Sequence, residues 1–140
     1  MRNFLDELAK LHCISVTNIV VDKRGKPEDF DIFAAAWWTL FQRFENTLVH
    51  GNFPGGYSHS FGTVFTDATS GKKLSQIMRK MSVHNPIPNR WGGGFKNAPI
   101  TRIIEDPSER DSSASLPIQA CDVMAYFLHQ KLRPNSYQEK

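Results

Sequence analysis

The stretch FDIFAAAWWTLFQRFENTLVHG, residues 30–51, has the clearest periodicity in this 140-residue sequence. Large apolar side chains recur there at steps of three and four residues, which is the repeat of one helix face. The members of this face are Phe30, Phe33, Ala34, Trp37, Leu40, Phe41, Phe44 and Leu48. Pro27 precedes the stretch and Gly51 follows its last helical residue, as expected at the two ends of a helix. The pattern predicts a long helix that packs an aromatic face on a sheet, although such a face could also stack on nucleic-acid bases.

Shorter patterns on both sides of this helix alternate between helix and strand. In chain order they predict a helix at 4–11, strands at 13–21 and 61–66, a helix at 74–81, a strand at 100–104 and a helix at 116–132. Between them, residues 84–98 are rich in Pro, Asn and Gly and predict a long loop, a kind of segment that is often functional. The order of elements predicts a single α/β domain over residues 1–132 with a largely parallel sheet, followed by a polar tail at 133–140.

Composition and charge are those of an ordinary globular protein. The chain is 40% hydrophobic and 22% charged, with a formal net charge of +3. A mild positive charge permits an anionic partner such as nucleic acid without requiring one. No apolar run has the length of a membrane span or the form of a signal peptide, so a cytoplasmic location is expected. Cys13 and Cys121 lie far apart in apolar contexts, which predicts free, buried thiols.

Acidic residues occur at three points where a site could form. Asp67 follows a predicted strand, and Glu105 and Asp106 follow the last one. Asp122 lies on the final helix at the edge of a predicted apolar stripe, whose members are Ile118, Cys121, Ala125, Leu128 and Leu132. Carboxylates that converge from strand ends and a helix can bind Mg²⁺ or Mn²⁺. Taken singly, each of these acids could instead be a turn or capping residue. The predicted stripe would face the core, where burying an unpaired charge is costly. The position of Asp122 at its edge therefore favours a role in a site over a role as a turn or capping residue.

Basic residues predict a second kind of surface. The exposed side of the helix at 74–81 and its start carries four cations, Lys72, Lys73, Arg79 and Lys80. Arg90 and Lys96 lie in the long loop that follows. Such cations would contact the phosphates of a nucleic acid.

The C-terminal segment resembles a known signature. Residues 111–113 contain Asp-Ser-Ser, and residues 118–122 read Ile-Gln-Ala-Cys-Asp before a hydrophobic helix. This arrangement resembles the C-terminal motif of the domain-of-unknown-function family DUF 3800, and the order of the preceding elements is similar over most of the chain. Cys121 stands where that family usually has alanine.

The resemblance implies a ribonuclease H-like three-layer fold and a metal-dependent nuclease or related phosphoryl-transfer enzyme. It also implies an association with a prophage or mobile element. In that case Asp67 and Asp122 would bind Mg²⁺ or Mn²⁺, with Gln119 as the companion of Asp122 in the catalytic site. Ser112 and Ser113 would match the serine element of the motif.

One departure from the family limits what the resemblance implies. The family opens with a strand reading roughly Tyr-Ile-Asp-Glu-Ser-Gly, and residues 1–11 contain no such sequence. A sheet that lacks this strand would have an incomplete acidic cluster and an exposed edge, and the edge would favour homo-oligomers. The sequence thus supports two hypotheses, a metal-dependent nuclease and a non-catalytic nucleic-acid-binding or assembly module with a vestigial site.

Overall fold

The computed structural model describes residues 2–68 and 70–134. Within them the chain is a mixed α/β protein of four helices, one small parallel sheet and one small antiparallel sheet. The helices are α1 (Arg2–Ala9), α2 (Ile32–His50), α3 (Gly71–Val83) and α4 (Leu116–Leu132). The strands are β1 (Phe65–Asp67), β2 (Pro86–Pro88), β3 (Phe95–Asn97) and β4 (Ser108–Arg110). The prediction of α/β class is confirmed at this level, and all four predicted helices are present.

The parallel sheet pairs β1 with β4, so that Phe65 lies beside Ser108 and Asp67 beside Arg110. A further parallel bridge between Gly62 and Ile103 extends the pairing toward the start of both segments. The antiparallel sheet is the hairpin of β2 and β3, which directly follows α3. Only two residues, His84 and Asn85, separate the end of α3 from the start of the hairpin.

The core lies between α2, α3 and the segment before β4. Its buried residues are Phe41, Leu48, Leu74, Ile77, Met78, Met81, Ile100 and Ile103, with the half-buried Phe33, Trp37, Trp38 and Phe44 packed against them. The aromatic face of α2 is therefore part of the core, as expected from its periodicity. Asp31 caps the start of α2 by accepting a hydrogen bond from the Ala34 amide, and the helix ends at Gly51 in the left-handed conformation.

Glu45 connects α2 to the chain before β4. It is only 5% exposed, and its Oε1 accepts hydrogen bonds from the amides of Thr101 and Arg102 at 2.8 and 3.0 Å. Its Oε2 also accepts from the Arg102 amide, at 3.0 Å. A buried carboxylate requires such partners, and here they fix the segment that bridges to Gly62.

Several predicted elements differ in the structure. The predicted strand at 13–21 is not formed, because β-branched residues make a strand only when a neighbouring strand supplies hydrogen bonds, and no pairing in the described chain includes these residues. The predicted strand at 100–104 is reduced to the bridge at Ile103, and β4 forms later. The largely parallel sheet is thus only two strands wide, and the predicted loop at 84–98 contains an antiparallel hairpin. Cys13 and Cys121 are free as expected but exposed rather than buried.

The predicted domain boundary coincides with the end of α4 at Leu132. Most of the predicted tail, residues 135–140, lies outside the described residues.

Candidate nucleic-acid interface

The two acids of the predicted metal site lie on elements that contact each other. Asp67 is the last residue of β1, and α4, which carries Asp122, packs against that strand. Asp67 is half-buried, and its Oδ1 accepts a hydrogen bond from the Ala68 amide at 2.8 Å. One oxygen of this carboxylate therefore stabilises the turn after β1. This is the role of a turn residue, the alternative to a site role for Asp67.

Asp122 does not lie on a core-facing surface, and the prediction that it does was wrong. Its side chain is exposed, and so are Cys121 and Ala125 of the predicted apolar stripe. The buried residues of α4 are Ile118 and Ala120. A two-stranded sheet covers only a narrow strip of the helix, so the remaining turns face water. Shielding of the Cys121 thiol from water by neighbouring atoms, with a smaller effect of the Asp122 charge, raises the pKa of that thiol.

Gln119 orders the segment that precedes α4. Its side-chain amide donates hydrogen bonds to the carbonyl oxygens of Ser112 at 2.8 Å and Ser113 at 3.2 Å. The amide and hydroxyl of Ser113 in turn donate to Asp111, and these bonds lower the pKa of the Asp111 carboxyl. The structure thus brings the parts of the C-terminal motif together as a hydrogen-bonded turn.

Two other acids near β4, Asp106 and Glu109, have partners of other kinds. Asp106 forms an ion pair with Arg79, and Glu109 accepts a hydrogen bond from the Gly71 amide at the start of α3, at 2.8 Å. Among residues 2–68 and 70–134, no group of three or more His, Cys, Asp or Glu side chains is arranged to hold a metal ion. The described residues therefore do not fit the Mg²⁺ or Mn²⁺ site that the family resemblance implies.

The four cations predicted on α3 are all exposed, but they differ in what they contact. Lys73 pairs with Asp31 at 2.9 Å, and Arg79 pairs with Asp106. The Lys80 ammonium lies 5.8 Å from the centre of the Trp38 ring. These intramolecular ion pairs partly neutralise Lys73 and Arg79. Within this set, Lys72 and Lys80 are therefore the cations whose charge is available to a phosphate.

The hairpin after α3 adds two more cations and two exposed aromatic rings. Arg90, Trp91, Phe95 and Lys96 are all exposed, and Trp91 retains 81% of its surface. The Arg90 guanidinium lies 5.7 Å from the centre of the Trp91 ring. The sequence predicts a long loop at 84–98, of a kind that is often functional, but it does not predict these aromatic residues as part of a site. The signal that could have found them is the alternation of Arg-Trp and Phe-Lys around three glycines.

Side-chain amides attach the hairpin to the helical layer. Asn85 has no exposed surface, and its side chain donates hydrogen bonds to Gln42 of α2 and to the Ala98 carbonyl, the latter at 2.7 Å. Its backbone amide donates to Asn97 Oδ1 at 2.7 Å, and Asn97 donates to the Val83 carbonyl at 3.2 Å. These contacts hold both ends of the hairpin beside the last turn of α3.

Comparisons with protein-family models, with curated proteins and with solved structures found no match to this chain. In the part of the chain that the structure describes, no helix combines the length and apolar character needed to cross a membrane.

Proposed function

We propose that this chain is a nucleic-acid-binding module whose contact surface is formed by α3 and the β2–β3 hairpin. The observation that carries the proposal is a set of four exposed cations on these two adjacent elements. Within the described residues, none of the four forms an ion pair with a carboxylate; they are Lys72, Lys80, Arg90 and Lys96. The location we propose is the cytoplasm.

Exposed, unpaired cations contribute little to the stability of a fold, because water already solvates them. They contribute to nucleic-acid binding by displacing the counterions that surround each phosphate, so that affinity falls as salt rises. For a single strand, each phosphate contact changes affinity by a factor of about 5 for a tenfold change in salt. A surface of four contacts is therefore suited to moderate, salt-sensitive binding.

The test is the affinity of the protein for a fluorescent oligonucleotide, measured by anisotropy at about 0.1 M salt. The double variant Lys72→Gln, Lys80→Gln removes two of the four contacts and is expected to bind roughly 25-fold more weakly. The matched control is Lys23→Gln, Lys131→Gln, which removes the same charge from exposed lysines outside this surface. Equal losses in the two double variants would show that net charge, and not this surface, determines binding.

A metal-dependent nuclease of ribonuclease H-like type, similar to the DUF 3800 family, is the second proposal. The contact between α4 and β1 favours it, because it brings the element that carries Asp122 beside the strand that ends at Asp67. In such an enzyme Asp67 and Asp122 would hold Mg²⁺ or Mn²⁺, and the ion would supply Lewis-acid chemistry at a phosphodiester. No catalytic step is assigned to these residues, since no group of three or more candidate ligands lies together among the described residues.

We also propose that this chain forms a homo-oligomer. β1 pairs with β4 on one side, and among the described residues no strand pairs with its other side. Phe65 of β1 and Phe61, which precedes the strand, are 51% and 61% exposed. Exposed edges of this kind add strands from another chain. Light scattering is expected to give the mass of a dimer, and a monodisperse monomer at high concentration would contradict the pairing.

A further inference from the structure

We infer that the hairpin gives this surface a preference for single-stranded nucleic acid, with Trp91 and Phe95 as stacking platforms for unpaired bases. The inference rests on the proposed function and adds the class of ligand. It is based on two aromatic side chains that are not part of the core. Trp91 is 81% exposed and Phe95 is 72% exposed, whereas Trp37 and Trp38 pack against the core.

Large aromatic rings normally contribute to stability by losing contact with water, so two exposed rings on one short hairpin need another explanation. Stacking on a base supplies one, because a base has two flat faces and covers a ring of similar size. In a duplex the faces of the bases are already stacked on one another, and only the edges are accessible. Exposed rings therefore select single strands over duplexes.

Each of the two rings on the hairpin has a cation next to it in the sequence. Arg90 lies directly before Trp91, and Lys96 directly after Phe95. Each pair offers a cation for a phosphate and a ring for a base. The Arg90 guanidinium also lies 5.7 Å from the centre of the Trp91 ring, close enough to bind a phosphate next to a stacked base.

The turn between the two rings is ordered and leaves room for a ligand backbone. The amide of Asn89 donates a hydrogen bond to the Gly94 carbonyl at 3.0 Å, and its side chain donates to the Gly93 carbonyl at 2.9 Å. Gly92 and Gly93 have φ of 81° and 70°, and a Cβ added at either would meet no atom within 4 Å. A chain of nucleotides can therefore pass close to the backbone at the tip.

The experiment compares single-stranded and duplex oligonucleotides of about 15 nucleotides or base pairs, at one salt concentration, by fluorescence anisotropy. Trp91→Ala is expected to bind the single strand roughly 10-fold more weakly and to bind the duplex almost as well as the unchanged protein. Trp91→Phe keeps an aromatic ring and should recover most of the affinity for the single strand. Tyr57→Ala is the control, since Tyr57 is also 81% exposed but lies in the loop after α2.

Two further readouts separate stacking from a general loss of structure. Thermal unfolding of Trp91→Ala should match that of the unchanged protein, because the ring is not part of the core. Single strands should quench the tryptophan fluorescence of the unchanged protein more than that of Trp91→Phe, in which only Trp37 and Trp38 remain.

The outcomes distinguish the inference from the proposed function. If the protein binds both nucleic acids and Trp91→Ala weakens neither, or weakens both equally, the single-strand inference is wrong and the proposed function stands. A hairpin that serves to bind another protein would give the first of these results. If the unchanged protein binds neither nucleic acid, the proposed function itself is wrong.

Discussion

Replacing Glu45 by Gln tests how the layers of this protein are held together. The Glu45 carboxylate is 5% exposed and accepts hydrogen bonds from two backbone amides and from the Thr101 hydroxyl. A glutamine in the same position has one acceptor oxygen and one NH₂ group. The NH₂ group cannot accept a hydrogen bond, so the Arg102 amide loses its bond to Oε2 and meets another donor there. The bonds from both amides to Oε1 lose their charged acceptor.

The magnitude follows from the number and kind of these bonds. A hydrogen bond to a charged group contributes about 1.5–3 kcal/mol to the free energy of unfolding. Both amides are affected by the loss of charge, but Thr101 is exposed and water can replace part of its bond. We expect Glu45→Gln to lower the free energy of unfolding by about 3 kcal/mol, which corresponds to a fall in Tm of roughly 10 °C for a domain of this size.

The assay is equilibrium unfolding in urea, followed by tryptophan fluorescence and by circular dichroism. Glu28→Gln is the matched control, because Glu28 is exposed and makes no side-chain hydrogen bond or ion pair with the described residues. Its effect should stay within about 0.5 kcal/mol. Equal stabilities of Glu45→Gln and Glu28→Gln would refute the assignment of Glu45 as the connection between α2 and the segment before β4.

Three further predictions concern the core, the response to pH and the acidic residues. Met81→Ala removes a side chain with no exposed surface and should cost about 2–5 kcal/mol in urea unfolding, whereas Val83→Ala, at a position that is 74% exposed, should cost less than about 0.5 kcal/mol. The hydrogen bond from the Ala34 amide, helped by a nearby lysine, lowers the pKa of Asp31, so this carboxylate stabilises the fold above the usual carboxyl pKa and the contribution is lost as the pH falls through the lowered value. The stability of Asp31→Asn should therefore approach that of the unchanged protein on acidification below about pH 4, and a constant difference would contradict the effect. If the chain is a nuclease, Mn²⁺-dependent cutting of DNA or RNA should be lost in Asp122→Asn, and cutting that persists would exclude Asp122 as a metal ligand.

The helices could be predicted from the sequence because their signals are local. The face that includes Phe41 and Leu48 repeats every three to four residues, and Gly51 marks the end of α2. Both features depend only on residues within a few turns of each other. The same holds for α3, whose predicted apolar residues Leu74, Ile77, Met78 and Met81 are all buried. The bounds of α4 were also predicted, but not which of its residues are buried.

Strands and the exposure of site residues depend on partners that the sequence does not identify. The β-branched residues at 13–21 favour a strand, but a strand forms only where another strand pairs with it. The exposure of Asp122 could not be predicted for a similar reason. The number of strands in the sheet determines how much of α4 is covered, and this number depends on long-range pairing. The basic residues of α3 were found from the sequence, but the pairing of Arg79 with Asp106, which is 27 residues away, became visible only in the structure.

The salt dependence of nucleic-acid binding tests the central claim most directly. The logarithm of the association constant for a single-stranded oligonucleotide should fall linearly with the logarithm of the salt concentration, with a slope of about −2.8 for four phosphate contacts. In Lys72→Gln, Lys80→Gln the slope should fall to about −1.4, while Lys23→Gln, Lys131→Gln should keep the slope of the unchanged protein. A slope near zero, or the same slope in both double variants, would contradict a phosphate-binding surface on α3 and the hairpin.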